Sequence, residues 1–187
     1  MKAKPLLPVA PLMIEHRLIE RMIELIRTKT KKAEESGVPD VRFIDTAVDF
    51  IRTYADRLHH GKEEGILFRD LAAKPISEEH RRTMGELVAE HRFGRETTAR
   101  LVAAKRRYVD GDSGALTNII DCLIALADFY PKHIEKEDRR FFIPVMRYFT
   151  PEEQVRMLAE ENEFDRRFAH AHYNLVVDDW SKGSGAA

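Results

Sequence analysis

Apolar residues recur every three to four positions along most of the chain, and the stretches that carry this rhythm are long. From about Pro11 to Lys31, Leu12, Ile19, Ile23 and Ile26 share one face, while Arg17, Glu20, Arg21 and Glu24 face away. A second helix is predicted from Val41 to Leu71, with Ile44, Val48, Ile51, Ala55 and Leu58 as its inner stripe. A third starts after Ser77, a good N-cap followed by Glu78 and Glu79, and runs to about Tyr108 with Met84, Leu87, Val88, Leu101 and Val102 inward. A fourth spans Ala115 to Tyr148. It contains Pro131, which predicts a kink rather than an end because the apolar pattern resumes beyond it. Thr150, Pro151 and Glu153 have the form of a helix start, and the fifth helix is expected to reach about His172. The breaks at 34–40, 72–77 and 110–114 are short and hold glycine, proline or polar residues. No alternating strand of useful length occurs. The expected fold is therefore all-α: an up-down-up-down four-helix bundle with an additional C-terminal helix, in one domain spanning 1–187. The bundle core falls at about 11–149 and the C-terminal helix and tail at 150–187, with the last residues, SKGSGAA, read as flexible.

Within this pattern the sequence repeats itself. Glu15-His16-Arg17 is echoed by Glu90-His91-Arg92, and the segment from His59 to Phe68 by the segment from His133 to Phe142, in the shared form H-x-x-K-E-[ED]-x-x-[LF]-F. The step is 75 residues for the first pair and 74 for the second. The chain thus reads as two helical hairpins, each with one His on its first helix and an H-x-x-x-E on its second. Two such hairpins in one bundle are related by a pseudo-two-fold axis, and residues so related can meet in the middle.

Residues four apart on a helix lie roughly 5–6 Å apart at Cβ and point the same way. A His and a Glu so placed can hold one metal, or the His can hold one while the carboxylate bridges to a second. Two such pairs, with one His from each remaining helix, give four imidazoles and two carboxylates. That set suits a pair of first-row metals, most naturally iron, roughly 3.5–4 Å apart. His16 falls with Leu12, Ile19 and Ile23, and His91 falls within the Met84–Leu87–Val88–Thr98 face. On the second helix the stripe directs His59 and Glu63 inward, and leaves His60 and Glu64 further round toward solvent. On the fourth helix Glu137 and Asp138 could both turn inward if Pro131 shifts the phase, and the repeat favours Glu137. His80, His170 and His172 read as surface or packing residues, and Trp180 as a pin for the tail.

Composition narrows the partners. Lys and Arg total 31 against 32 Asp and Glu, for a formal net charge of -1, which gives no reason to expect nucleic acid or an anionic membrane surface. The single cysteine, Cys122, excludes an internal disulfide and a cysteine-built zinc site. The N-terminal MKAKPLLPVAPLMIEHR faintly imitates a signal peptide, but Pro5, Pro8 and Pro11 interrupt it and no small-residue cleavage site follows. No run approaches the roughly 20 apolar residues of a membrane span, so a cytoplasmic protein is expected.

Taken together, EHR-x-I-E-R, HHGKEE-x-I-L-F, EHR-x-G-R and YPKHIEKED-x-x-F-F-x-P resemble the motifs of the hemerythrin-like (HHE cation-binding) family, from about Leu12 to Phe149. The resemblance implies a four-helix bundle with a non-haem di-iron centre. It implies His16, His59, Glu63, His91, His133 and Glu137 as the ligands, with Glu63 and Glu137 bridging. His16 and His59 would serve one iron, and His91 and His133 the other. Oxygen-carrying members have a fifth His one turn before the third-helix ligand; that position here is Leu87. The resemblance therefore points to interaction with a diatomic ligand, O2 or NO, or with peroxide, in binding, sensing or iron handling. An enzyme that decomposes peroxide or reduces nitric oxide is the alternative, and a metal-free structural bundle the second alternative. Paired E-x-x-H motifs of ferritin-like proteins are missing.

Overall fold

The computed structural model describes residues 6–166 and 170–183, and among these it contains six helices and no strand. Helix α1 is Val9–Ser36. Helix α2 is one continuous rod over 41–72. Helix α3 is Glu78–Val109, α4 runs over 115–148, α5 is Pro151–Asp165 and α6 is His170–Ser181. The first four form the antiparallel bundle, with α3 lying along α4 and α1 against α4. α5 packs on the second half of α2, and α6 on α1.

Local chemistry fixes the ends. Gly37 closes α1 at φ 71°, a conformation without penalty only for glycine, and its N–H bonds the Ala33 carbonyl. Asp40 caps α2 through Phe43 N at 3.0 Å, Ser77 caps α3, and Thr150 with Glu153 forms a reciprocal capping box ahead of α5. Pro131 sits inside α4 without ending it. Its missing N–H frees the carbonyl four residues back, at Ala127, and the Arg27 guanidinium of α1 donates to that oxygen. The fifth helix differs from the sequence reading: it stops at Asp165 and a separate helix begins at His170. Most of the SKGSGAA tail (184–187) lies outside the described residues. Trp180 packs edge-on against Phe43 at 5.1 Å, with the Lys29 ammonium 4.5 Å from its ring, and so holds α6 to α1 and α2.

Two apolar clusters fill the bundle. One collects Ile19, Ile23, Ile26, Ile44, Leu58, Leu101, Leu123 and their neighbours; the other Val9, Leu12, Leu67, Leu71, Leu87, Phe141, Phe142 and Val145. Along every bundle helix the buried histidines and glutamates, His80 apart, fall between the segments feeding these clusters. A polar layer is thus sealed above and below by hydrocarbon.

Three π-helical segments adjoin that layer. Glu63–Phe68 and Glu137–Phe141 occupy equivalent places in the repeat, while Ile51–His60 has no counterpart, because α4 remains α-helical from Ala115 to Lys136. A π-turn holds more residues than an α-turn, so successive side chains rotate by less than the α-helical ~100°.

Candidate metal centre

His16 on α1, His59 and Glu63 on α2, His91 on α3, and His133 and Glu137 on α4 converge in one buried cluster. Each carboxylate spans two imidazoles. Glu63 Oε1 lies 3.1 Å from His59 Nε2, and Oε2 lies 3.2 Å from His91 Nε2. Glu137 Oε2 lies 3.2 Å from His16 Nε2, and Oε1 lies 3.3 Å from His133 Nε2. The donor atoms fall into two overlapping groups: His16, His59, Glu63 and Glu137, and His60, Glu63, His91 and His133. Glu63 belongs to both. A carboxylate with one oxygen turned to each group has the disposition of a bridge.

The outer nitrogens are equally ordered. His16 Nδ1 donates to Asp138 at 2.7 Å, His59 Nδ1 to Glu15 at 2.9 Å, His91 Nδ1 to Glu64 at 2.7 Å, and His133 Nδ1 to Glu90 at 2.8 Å. A carboxylate only accepts, so Nδ1 carries a proton and Nε2 faces the centre. These carboxylates are themselves held by cations: Arg17 on Asp138, Lys62 on Glu15, Arg95 on Glu64 and Lys136 on Glu90. Asp138, which shared the fourth-helix position with Glu137 in the sequence reading, thus stands outside His16 rather than in the cluster. The repeated Glu-His-Arg carried the signal for Glu15 and Glu90, since both precede an inward His.

One expectation is corrected. His60 does not face solvent: it is buried, and its ring stacks on His91 with centroids 3.9 Å apart and planes 13° from parallel. The repeat accounts for it: the equivalent residue on α4, Ile134, is buried as well, so this position faces inward in both halves. A fifth imidazole thus reaches the cluster from α2, while Leu87 on α3 stays in the apolar core. Glu64 is half-buried, its carboxylate turned to His91 and Arg95. His80 is a packing residue that bonds Tyr148 at 2.8 Å, and His172 is exposed.

Electrostatics mark the cluster as built for positive charge. Burial would push the imidazoles down, yet His59 is raised to about 10 by Glu63 and Glu15, and His91 to about 11 by Glu137, Glu63 and Glu64. Against burial and the repulsion of Glu63, Glu137 is lowered to about 2 by His133 and His16, and Glu63 is held well below its ordinary value by His59 and His91. Five imidazole Nε2 atoms, of His16, His59, His60, His91 and His133, and all four oxygens of Glu63 and Glu137 are buried without a hydrogen-bond partner. Orphaned buried polar atoms are costly and rare. Their convergence on one space is the donor set a cation requires.

Fold and site define a helical-bundle protein with a buried histidine–carboxylate cluster suited to metal. The family model described as hemerythrin HHE cation-binding domain matches residues 7–144, and the chain belongs to that family. Comparison with curated proteins and with solved structures gave no match. No helix among the described residues is long and apolar enough to cross a membrane.

Proposed function

We propose that the cluster is a non-haem di-iron centre at which a small ligand, O2, NO or peroxide, is bound. The observation that carries this reading is the pairing of two buried carboxylates, each with one oxygen toward either His group, among imidazoles whose Nδ1 atoms are all fixed from outside. His16, His59, Glu63, His91, His133 and Glu137 would hold the metals, and His60 is a further donor in the second group. Iron, when bound, supplies the electrons and open coordination positions for a diatomic or peroxide ligand. The chain supplies the rest. Asp138, Glu15, Glu64 and Glu90 orient the imidazoles and raise their basicity. The two apolar clusters exclude bulk water from the layer between them, and the low dielectric strengthens attraction between the carboxylates and a cation.

Iron per chain in freshly purified protein, with optical spectra in air and under reductant, tests the proposal. Two irons and a spectrum that changes reversibly with air and reductant are expected. Protein folded but free of metal after purification and after anaerobic ferrous loading would return the reading to a structural bundle. Multiple turnovers of peroxide or nitric oxide with added reductant would instead identify an enzyme.

A further inference from the structure

The repeat pairs Gly61 with Glu135. Glu135 is exposed on the outer face of α4. Gly61 instead lies under α5: a Cβ at this position would stand 3.1 Å from Phe164 Cζ, so a side chain here would have to push the ring back. Bare backbone between His59 and Glu63 is thus the seat on which the end of α5 rests. Beside it, Asp165 Oδ1 meets Lys62 Nζ at 2.7 Å, and Lys62 in turn holds Glu15. The two ends of α5 are held differently. At its start the capping box closes on Thr150, Gln154 Nε2 donates to the Met146 and Phe149 carbonyls at 3.0 and 3.3 Å, and Met157 is buried in the second apolar cluster. Toward its end Glu161 is buried, and neither of its oxygens has a hydrogen-bond partner. Docking this end takes a carboxyl out of water and returns it no bond, while release gives its hydration back. An element balanced in this way opens before the bundle does.

We propose that the end of α5 is a releasable cap, hinged at Thr150, and that its undocking is the step by which a metal ion enters or leaves the His16–His59 side of the centre. The route rests on the metal-centre reading above; the cap does not. With α5 docked, Glu15 and Lys62 are shut in behind Glu161, Phe164 and Asp165. With it lifted, they gain the contact with water that Glu90 and Lys136 have in the other half, where both are part-exposed. The charges at the free end suit a cation in transit. Ligand atoms of Glu15, Asp165 and His170 lie within 4.8 Å of one another, and the Glu161 carboxyl adds a third acidic group to one ammonium. The His91–His133 side has no such cover, so the two sides exchange metal at different rates.

Two readouts test this. The first is hydrogen exchange of metal-free protein, in which the amides toward the end of α5 are expected to exchange at a free energy well below that of α3 and α4. Phe164→Ala removes the ring seated on Gly61 and should speed that exchange about tenfold. Glu161→Leu replaces the orphaned carboxyl with hydrocarbon and should slow it. In the second readout, ferrous-loaded protein is challenged anaerobically with excess chelator. Two phases are expected, one for each side. The slower should follow the exchange order, fastest in Phe164→Ala and slowest in Glu161→Leu, while the faster stays constant and both variants bind as much iron as the wild type. Chelation that ignores both substitutions while exchange responds would overturn the route, as would acceleration of both phases alike. Wild-type α5 amides that exchange only with global unfolding would overturn the cap. Protein that takes up no iron, with the exchange order as stated, would overturn the metal reading and the route with it, and leave the cap standing.

Discussion

Lys62 and Lys136 occupy the same place in the two halves of the repeat, and each donates to the glutamate that orients an imidazole, Glu15 for His59 and Glu90 for His133. Their surroundings differ. Lys136 is 26% exposed and shares its charge with Glu86 at the surface. Lys62 is 0% exposed, and on its far side the Asp165 carboxylate of α5 lies 2.7 Å away. Glu161, also on α5, is buried nearby. The two His–Glu pairs and their outer glutamates are thus built twice on one plan. The outer layer is differentiated by what covers it: solvent over one half, the C-terminal helices over the other. Burial turns an ordinary surface ion pair into a device in which removing either partner strands a charge.

The largest expected effect follows from that difference. Lys62→Met leaves Glu15 and Asp165 facing one another without their cation and should cost about 3–5 kcal/mol. Lys136→Met should cost less than about 1 kcal/mol, since water screens Glu90 and Glu86. Urea unfolding of the two variants side by side reads the difference, and equal losses would break the comparison.

A pH window should sharpen it. Burial pushes the Glu161 carboxyl up to about 8; Lys62 opposes this, and Glu15 and Asp165 add to it. The unfolded chain gives up this proton near 4.5. Between these values the folded state keeps a proton that the unfolded state has lost, so Glu161 makes stability fall as pH rises from about 4.5 to 8. Glu161→Gln should remove this slope and raise stability at pH 8 by something on the order of 2 kcal/mol, with little change at pH 4. Melting curves across the range check it; an unchanged slope would mean that α5 does not seal the first half.

The smallest effect concerns the docking of α5 itself. Arg69 on α2 grips Glu160 with two bonds of 2.7 and 2.9 Å, yet both side chains are about half exposed. Arg69→Ala should cost roughly 0.2–1 kcal/mol. A loss as large as that of Lys62→Met would show that the cap is held by its rim rather than by its buried charges.

The helices and the convergence of His16, His59, Glu63, His91, His133 and Glu137 could be read from the chain because both rest on α-helical periodicity and on a repeat that is explicit in the residues. His60 could not. The inner stripe drawn through Ile44, Val48, Ile51, Ala55 and Leu58 rotates it to the wrong side, although its equivalent, Ile134, is apolar and buried. Lys62 was hidden for a different reason: a lysine among glutamates has the pattern of a solvated face, and only the packing of α5 shows otherwise. The end of α5 at Asp165 was missed because the apolar spacing runs on into the next helix.

The most direct test of the central claim is an anaerobic ferrous titration of metal-free protein, alongside the double variant Glu63→Gln, Glu137→Gln. The structure gives each carboxylate one oxygen toward either His group. The wild type should therefore bind to an endpoint of about two irons per chain, with release of the imidazole protons and a melting temperature that rises with loading. The double variant should lose that endpoint. A wild type that saturates without a two-iron endpoint, or a double variant that binds as the wild type does, would contradict the account.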